Sequence, residues 1–429
     1  MKIHLKTLGC RLNEAELETW SREFHQFGHD MTMTPGNADI IVINTCAVTE
    51  EAVKKSKKLL RKSHRDNPDA KLVISGCYAS LSPEDTLSIE GVDLVVPNME
   101  KSRLVSVIHE KLGIAAVQQK ENADTNQLLF SGRQRAFIKV QDGCRYRCTF
   151  CIVTVARGEE SSRSFEDIIS EINFLVSQDI KEVVITGVHL GGYGQDLGTN
   201  LVELVKAILE STKIQRIRMG SLEPWELSDD FWQLFENPRV MPHLHLPLQS
   251  GADSVLRRMA RRCKTPDFEQ LLTKARQVNP DFNITTDIIV GFPGETEEEW
   301  QLSLEFVKRM NFGHVHIFAY SPREGTKAAT LPNPVSREVK RQRSEILHQV
   351  AEEMKNQNLE QLFGKTAEVL FEGNQELNMD GTITWSGYTP NFQRVKVTTK
   401  RNDLCNQILK VKISNQIQDN ILLADLLDE

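Results

Sequence analysis

Between Phe137 and Tyr320 the chain repeats one pattern, a short apolar run followed by a longer stretch with apolar residues at helical spacing. The runs are Phe137–Val140, Glu182–Thr186, Ile214–Met219, His243–Leu248, Ile284–Val290 and His314–Tyr320. Phe165–Val176, Leu201–Leu209, Asp267–Val278 and Glu297–Met310 read as helices between them. Near-continuous apolar strands separated by helices pair in parallel, with the helices covering the sheet, so the pattern predicts an α/β architecture. A full eight-unit barrel takes about 250 residues. Six units predict an open, partial (β/α)6 barrel, closed off by a charged helix from Arg337 to about Leu362.

The flanks differ from this centre. Upstream, Lys2–Leu8, Asp39–Asn44, Lys71–Ser75 and Val92–Val96 read as strands. Glu14–Phe27, Glu50–His64, Pro83–Ile89 and Lys101–Leu112 read as the helices that follow them. This predicts a parallel-sheet, flavodoxin-like domain over 1–118, and polar Gln118–Asn126 reads as a linker to the second domain at 130–361. Downstream, 362–429 holds five short strands with polar turns: Thr366–Phe371, Thr382–Gly387, Arg394–Thr399, Ile408–Ile413 and Ile421–Leu423. Such a run suits a small β-barrel of the oligonucleotide-binding type. No apolar run reaches the roughly 18 residues of a spanning helix, and Met1–Arg11 lacks the features of a signal peptide. The expectation is a cytoplasmic protein with no membrane partner.

With eight cysteines and no secretory signal, thiols are expected as metal ligands or reactive groups rather than disulfides. Cys144, Cys148 and Cys151 form a C-x3-C-x2-C loop that starts at Gly143, directly after a predicted strand. A 4Fe–4S cluster usually takes four cysteines. Three local thiolates would leave one iron open to a small chelating ligand. The competing reading is structural zinc, which needs a further Cys or His, and the nearest histidine is His189, well downstream. Cys10, Cys46 and Cys77 each follow a predicted strand of the first domain. The carboxyl ends of parallel strands share one edge, where ligands collect, so these three thiols should converge on a second metal or iron–sulfur site. Each alone reads as a buried core cysteine. Cys263 and Cys405 read as bystanders.

The loop of Cys144, Cys148 and Cys151, with Phe150 before the last cysteine, resembles the radical S-adenosylmethionine signature. Ile288-Ile289-Val290-Gly291-Phe292-Pro293-Gly294-Glu295-Thr296 resembles the glycine-rich strand end that packs against the adenine in that superfamily. The placement of Cys10, Cys46 and Cys77 resembles the N-terminal domain of the methylthiotransferases, and the C-terminal barrel resembles their TRAM module. The resemblance covers nearly the whole chain, in the same domain order. Three kinds of methylthiotransferase compete, acting on isopentenyladenosine-37 of tRNA, on a ribosomal-protein aspartate, and on N6-threonylcarbamoyladenosine at tRNA position 37. The segments Thr186–Gly194, Gly220–Pro224, His243–Gly251 and Gly387–Phe392 look most like the last. Two departures stand out: Ile152–Gly158 lacks a proline and tyrosine common in relatives, and Ser161 stands where arginine is frequent.

The resemblance implies two 4Fe–4S clusters, S-adenosylmethionine, and an electron donor such as flavodoxin or ferredoxin. It implies that the Cys144/Cys148/Cys151 cluster generates a 5′-deoxyadenosyl radical that abstracts hydrogen from C2 of the modified adenine. The cluster on Cys10, Cys46 and Cys77 would supply the sulfur, which is methylated first. Phe150, Gly187, Glu223, Gln249 and Gly291, in the cluster loop or near strand ends, are expected around S-adenosylmethionine; the other reading of the last four is tight-turn glycines and capping polar groups. His243 with His245, and His314 with His316, share strand faces and read as satisfied core histidines before metal ligands. The net charge is −7, so any nucleic-acid contact must be local. Arg394, Lys396, Lys400, Arg401, Lys410 and Lys412, with Tyr388 and Phe392 nearby, suggest a phosphate track with base stacking. The runs Lys54–Lys62 and Arg257–Arg262 read as solvated helix faces. Two other classes weigh against an enzyme. A plain iron–sulfur electron carrier would need no glycine-rich nucleotide edge, and an RNA-binding zinc protein would need complete four-ligand sites.

Overall fold

The computed structural model describes residues 1–114 and 134–427; the predicted linker and the boundary between the first two predicted domains lie outside the described residues. At the N-terminus five parallel strands lie in the spatial order Asp30–Met31, Lys2–Thr7, Ile40–Thr45, Lys71–Gly76 and Val92–Val96. Ile40–Thr45 is buried along its whole length because helices cover both faces of the sheet. Alternate side chains of one strand point to opposite faces, and the packing follows: Ile41 and Ile43 join Leu60, Leu72 and Ile74 on one side, while Ile40 and Val42 join Ile3, Trp20 and Ile108 on the other. The two-residue strand Asp30–Met31 pairs only through Lys2 and Ile3 and is too short to show a period in the sequence.

The central region has six parallel strands, Arg135–Lys139, Glu182–Thr186, Arg216–Met219, His243–His245, Asn283–Val290 and His314–Ala319. They form two three-stranded sheets joined by the single bridges Ile217–Val240 and Ser221–His245. Among the described residues the first and last strands do not pair, so the barrel stays open, as its six units implied. The predicted strand His243–Leu248 stops at His245, where Pro247 has no N–H to offer a ladder. Helix Arg337–Glu360 lies along the last strand, with Asn358 donating to the carbonyl of Phe312 at 3.1 Å.

The C-terminal strands Thr366–Leu377, Ile383–Tyr388, Arg394–Thr399, Ile408–Gln418 and Ile421–Leu426 close into a barrel. It is fastened to the core by arginines. Arg216 donates to the carbonyls of Tyr388 and Glu368, and Arg218 to that of Pro390. Tyr388 and Phe392 stack at 4.8 Å, with Arg135 over Tyr388 at 4.4 Å and Arg218 over Phe392 at 4.6 Å. These two aromatics, expected as an RNA-stacking platform, are instead held against the core by cation–π contacts. No described helix is long and apolar enough to cross a membrane.

The open side of the arc receives the helix Arg11–Gln26 of the first domain, which lies against the edge strand Arg135–Lys139. There the Phe137 N–H donates to Glu18 at 3.2 Å, and burial pushes the Glu18 carboxyl up to about 8. An acid raised in the folded state binds its proton more tightly there, so stability is full below the ordinary value and falls as pH rises toward the folded value. Between roughly pH 4.5 and 8 Glu18 therefore costs stability. Glu18→Gln keeps an acceptor for Phe137, and should raise the thermal midpoint at pH 8 by several degrees while leaving it nearly unchanged at pH 5. Equal shifts at both pH values would contradict the assignment.

Candidate active site

The cysteine loop is shaped by a glycine. Gly143 has φ +73°, and a Cβ there would meet the carbonyl oxygen of Glu159 at 1.9 Å, so only glycine lets the loop pass this close. The passage is pinned by the Cys144 N–H on the carbonyl of Gly158 at 3.3 Å and the Arg145 N–H on Glu160 at 2.9 Å. Farther on, the Thr149 N–H donates to the carbonyl of Met259 at 3.0 Å. Burial pushes the Cys144 thiol up to about 12 and the Cys151 thiol up to about 11, and raises Cys148 as well. Thiolates in such a place need a compensating cation, and a metal centre supplies one.

The zinc reading meets an obstacle at its fourth ligand. The fold does bring His189 beside Cys144, but both ring nitrogens are taken. Nδ1 meets Glu160 and Nε2 meets Glu226, each at 2.5 Å. Burial disfavours charge on His189, but its bonds to these carboxylates outweigh that and raise its pKa. Tyr146 and Arg145 complete the cluster, donating to Glu226 at 2.6 and 3.1 Å.

Arg261, read from sequence as part of a solvated basic face, is the buried cation of this site. Its side chain is 3% exposed, pairs with Glu223 at 2.7 Å and reaches the Cys148 sulfur at 3.7 Å. Nothing in a run of four arginines marks the one that turns inward.

Cys10, Cys46 and Cys77 stand near one another at strand ends of the first domain. Cys10 precedes helix Arg11–Gln26, and Cys46 and Cys77 follow the next two strands. Burial raises the Cys46 thiol, and the neighbouring Cys77 and Cys10 add to the effect. Gly76 makes the approach possible: at φ +98°, its Cβ would lie 2.2 Å from the carbonyl oxygen of Thr45. Beneath this triad lies a buried ion network. Glu16 accepts from Arg157 at 3.0 Å and Lys139 at 3.2 Å, pairs with Lys101, and accepts from Asn44 at 2.9 Å. Burial disfavours the Glu16 charge, but these cations outweigh it and hold the carboxyl well below its usual range. Arg157 also bonds Asp142 at 2.9 Å and Asn13 at 2.9 Å. None of these residues was singled out from sequence, because their partners are 100 or more positions away except within each domain.

A cavity of about 730 Å³ runs along the inside of the open barrel. Its walls come from all three predicted domains: Cys10 and Arg11, then Gly187, Ser221, His245, Asp287 and His316, then Tyr388, Phe392 and Arg394. The four histidines read as core residues face it. His245 is satisfied by Thr285 at 2.9 Å and Asp287 at 3.2 Å, and His243 lies against Phe392 at 4.8 Å. Of the residues expected around S-adenosylmethionine, Gly187 lines the cavity and Glu223 stands by the cysteine loop. Phe150 packs with Ala252, Met259 and Phe292. Gln249 and Gly291 fall outside the cavity wall. Gln249 continues the sheet, its N–H on the carbonyl of Asp287 at 2.8 Å. Gly291 faces the Lys340 side chain, 2.2 Å from where a Cβ would stand, so helix packing explains that glycine. Cys263 is buried beside a separate small pocket and Cys405 is exposed on the C-terminal barrel. The basic residues of that barrel are partly offset, Lys396 by Glu376 at 3.8 Å and Arg401 by Asp403 at 2.9 Å, while Lys410 and Lys412 stand opposite Glu368 and Asp425 in the strand register.

Residues 2–97 match the family described as Uncharacterized protein family UPF0004, and residues 138–307 match the Radical SAM superfamily. The chain is 38% identical to the threonylcarbamoyladenosine tRNA methylthiotransferase MtaB of Thermotoga maritima, over 86% of each chain. It is 33% identical to the tRNA-2-methylthio-N(6)-dimethylallyladenosine synthase of Akkermansia muciniphila, over 96% of each. Among solved structures, the radical S-adenosylmethionine methyltransferase TsrM of Kitasatospora setae shares the fold, with a TM-score of 0.55 at 15% identity over 76% of this chain and 75% of that one. With this match over nearly its whole length, the chain belongs to the radical S-adenosylmethionine family of tRNA methylthiotransferases.

Proposed function

We propose that the chain inserts a methylthio group at C2 of N6-threonylcarbamoyladenosine at position 37 of tRNA, in the cytoplasm, drawing electrons from a donor such as flavodoxin or ferredoxin. The observation that carries this is the joining of the two cysteine triads. Arg157, six residues past Cys151, donates to Asn13, three residues past Cys10, at 2.9 Å. Cys10 and the strand ends at Gly187 and Ser221 also line one cavity. A sulfur source and a radical source fastened side by side suit insertion of sulfur into a C–H bond. The relative at 38% identity, named for threonylcarbamoyladenosine, favours that nucleoside over the dimethylallyl one. So does the cavity wall, whose histidines, Asp287, Arg11 and Arg394 suit a polar substituent on N6.

In this reading Cys144, Cys148 and Cys151 hold one 4Fe–4S cluster, and Cys10, Cys46 and Cys77 hold a second. When bound, the first cluster and S-adenosylmethionine supply the one-electron chemistry, and the second supplies sulfur. The protein orients and insulates. Arg261 offsets negative charge at Cys148, and Glu223 holds Arg261 in place. Arg157 and Lys101 bring positive charge toward Cys77. The His189–Glu160–Glu226 cluster props the Cys144 loop from below. Residues 1–118 thus serve the sulfur source, 130–361 the radical source, and 362–429 the RNA, through Arg394, Lys396, Lys400 and Arg401 with Lys410 and Lys412.

Cys148→Ala should cut bound iron from roughly eight to roughly four per chain and abolish 5′-deoxyadenosine formation on reduction. Cys46→Ala should lose the same share of iron but still form 5′-deoxyadenosine, while methylthiolation stops. Full methylthiolation by either variant would overturn its assignment. Replacing the exposed Lys400, Lys410 and Lys412 by alanine should weaken tRNA binding and lower the salt slope of the affinity by roughly 2, with absorption near 400 nm unchanged. An unaltered slope would place the RNA track elsewhere.

A further inference from the structure

One wall of the cavity, formed by the last core strand and the long helix after it, holds three polar side chains. His314 and His316 lie on the cavity face of the last core strand, with rings 4.6 Å apart. Lys355 projects from the helix Arg337–Glu360 onto the same wall. Among the described residues none of the three side chains makes a hydrogen bond or an ion pair. Lys355 is half-buried, and burial lowers its pKa. Asp419 lines the same cavity without pairing with it. Glu352 on the same helix favours the Lys355 charge without forming an ion pair with it, and an anion brought by a ligand would give this partly desolvated ammonium a direct counter-charge.

Resting on the substrate reading above, we infer that His314, His316 and Lys355 form the subsite for the free carboxylate of the threonylcarbamoyl group. Threonine joined through its nitrogen keeps a carboxylate and a hydroxyl, whereas an isopentenyl group offers neither. Burial holds both imidazoles neutral, His314 down to about 4. Each can then donate one hydrogen bond and accept another, which suits a carboxylate beside a hydroxyl, while Lys355 carries the opposing charge. The neighbouring group of His245, Asp287 and His316 has ligand atoms within 4.8 Å of one another, but His245 has no free nitrogen to give a metal. Both nitrogens of His245 are already engaged by Thr285 and Asp287. Position fits the chemistry as well. Gly187, at the strand end beside Gln141 and the cysteine loop, lines the same cavity, so one chamber can take both C2 and the N6 substituent.

The test uses the reconstituted holoenzyme and two synthetic anticodon stem-loops, one bearing the free-acid nucleoside and one its methyl ester. Binding is measured without S-adenosylmethionine, and methylthiolation with it. Wild type should bind the acid roughly tenfold or more tightly than the ester, the scale of a lost charged hydrogen bond. Lys355→Met and His316→Phe should bring the acid down to the ester and leave ester binding unchanged, with absorption near 400 nm intact. Lys355→Arg should recover most of the preference. Equal binding of acid and ester by wild type, or an undiminished preference in both variants, would overturn the subsite. No methylthiolation of either stem-loop by wild type, with turnover on an isopentenyladenosine stem-loop, would overturn the substrate reading and the subsite with it.

Discussion

The buried carboxylate of Glu16 is the interaction on which the rest of this structure depends. It sits on the first helix of the first domain, yet two of its cationic partners, Lys139 and Arg157, belong to the second. A carboxylate removed from water at this depth is tolerable only while those partners stay in place, and losing one from such a network costs about 3–5 kcal/mol. The network is therefore a positional constraint. It holds the helix that begins after Cys10 against the helix that follows Cys151, and so sets the distance between the two cysteine triads. Asn13 and Asn98 reinforce the joint, Asn13 receiving Arg157 and Asn98 donating to the carbonyl of Ala156 at 2.7 Å.

The same groups also set the electrostatics. Counting formal charges, Glu16 and Asp142 face Lys101, Lys139 and Arg157, which leaves an excess of one positive charge beneath the first triad. At the other triad Arg261 stands against Cys148, with Glu223 behind it. Desolvated thiols would otherwise keep their protons, as the raised values of Cys144 and Cys151 show. The triad of Cys144, Cys148 and Cys151 is thus a place where thiolates are costly until a cation offsets them.

Much of this was legible in the sequence because it rests on local periodicity. Glu182–Thr186, Val92–Val96, Arg394–Thr399 and Glu297–Met310 have the ends that their apolar patterns suggest. The convergence of Cys10, Cys46 and Cys77 follows from parallel strands alone, since the register places their carboxyl ends together. What was not legible depends on partners distant in the chain. Arg261 looks like its neighbours Arg257 and Arg262 until the fold sets Glu223 beside it. Tyr388 and Phe392 look like base-stacking residues until Arg135 and Arg218, more than 170 positions upstream, are found over their rings. Gly291 looks like a nucleotide-binding glycine, and the long helix carrying Lys340 supplies a simpler reason for it.

The cavity wall includes Gly9 at one extreme and Ile421 at the other. No shorter stretch of this sequence encloses it. During synthesis both cysteine triads leave the ribosome well before the last strand of the C-terminal barrel. A half-made chain could carry its metal centres, yet it would have no chamber in which to hold a nucleoside. The chamber is therefore a property of the whole fold, assembled only when the last barrel strand is in place.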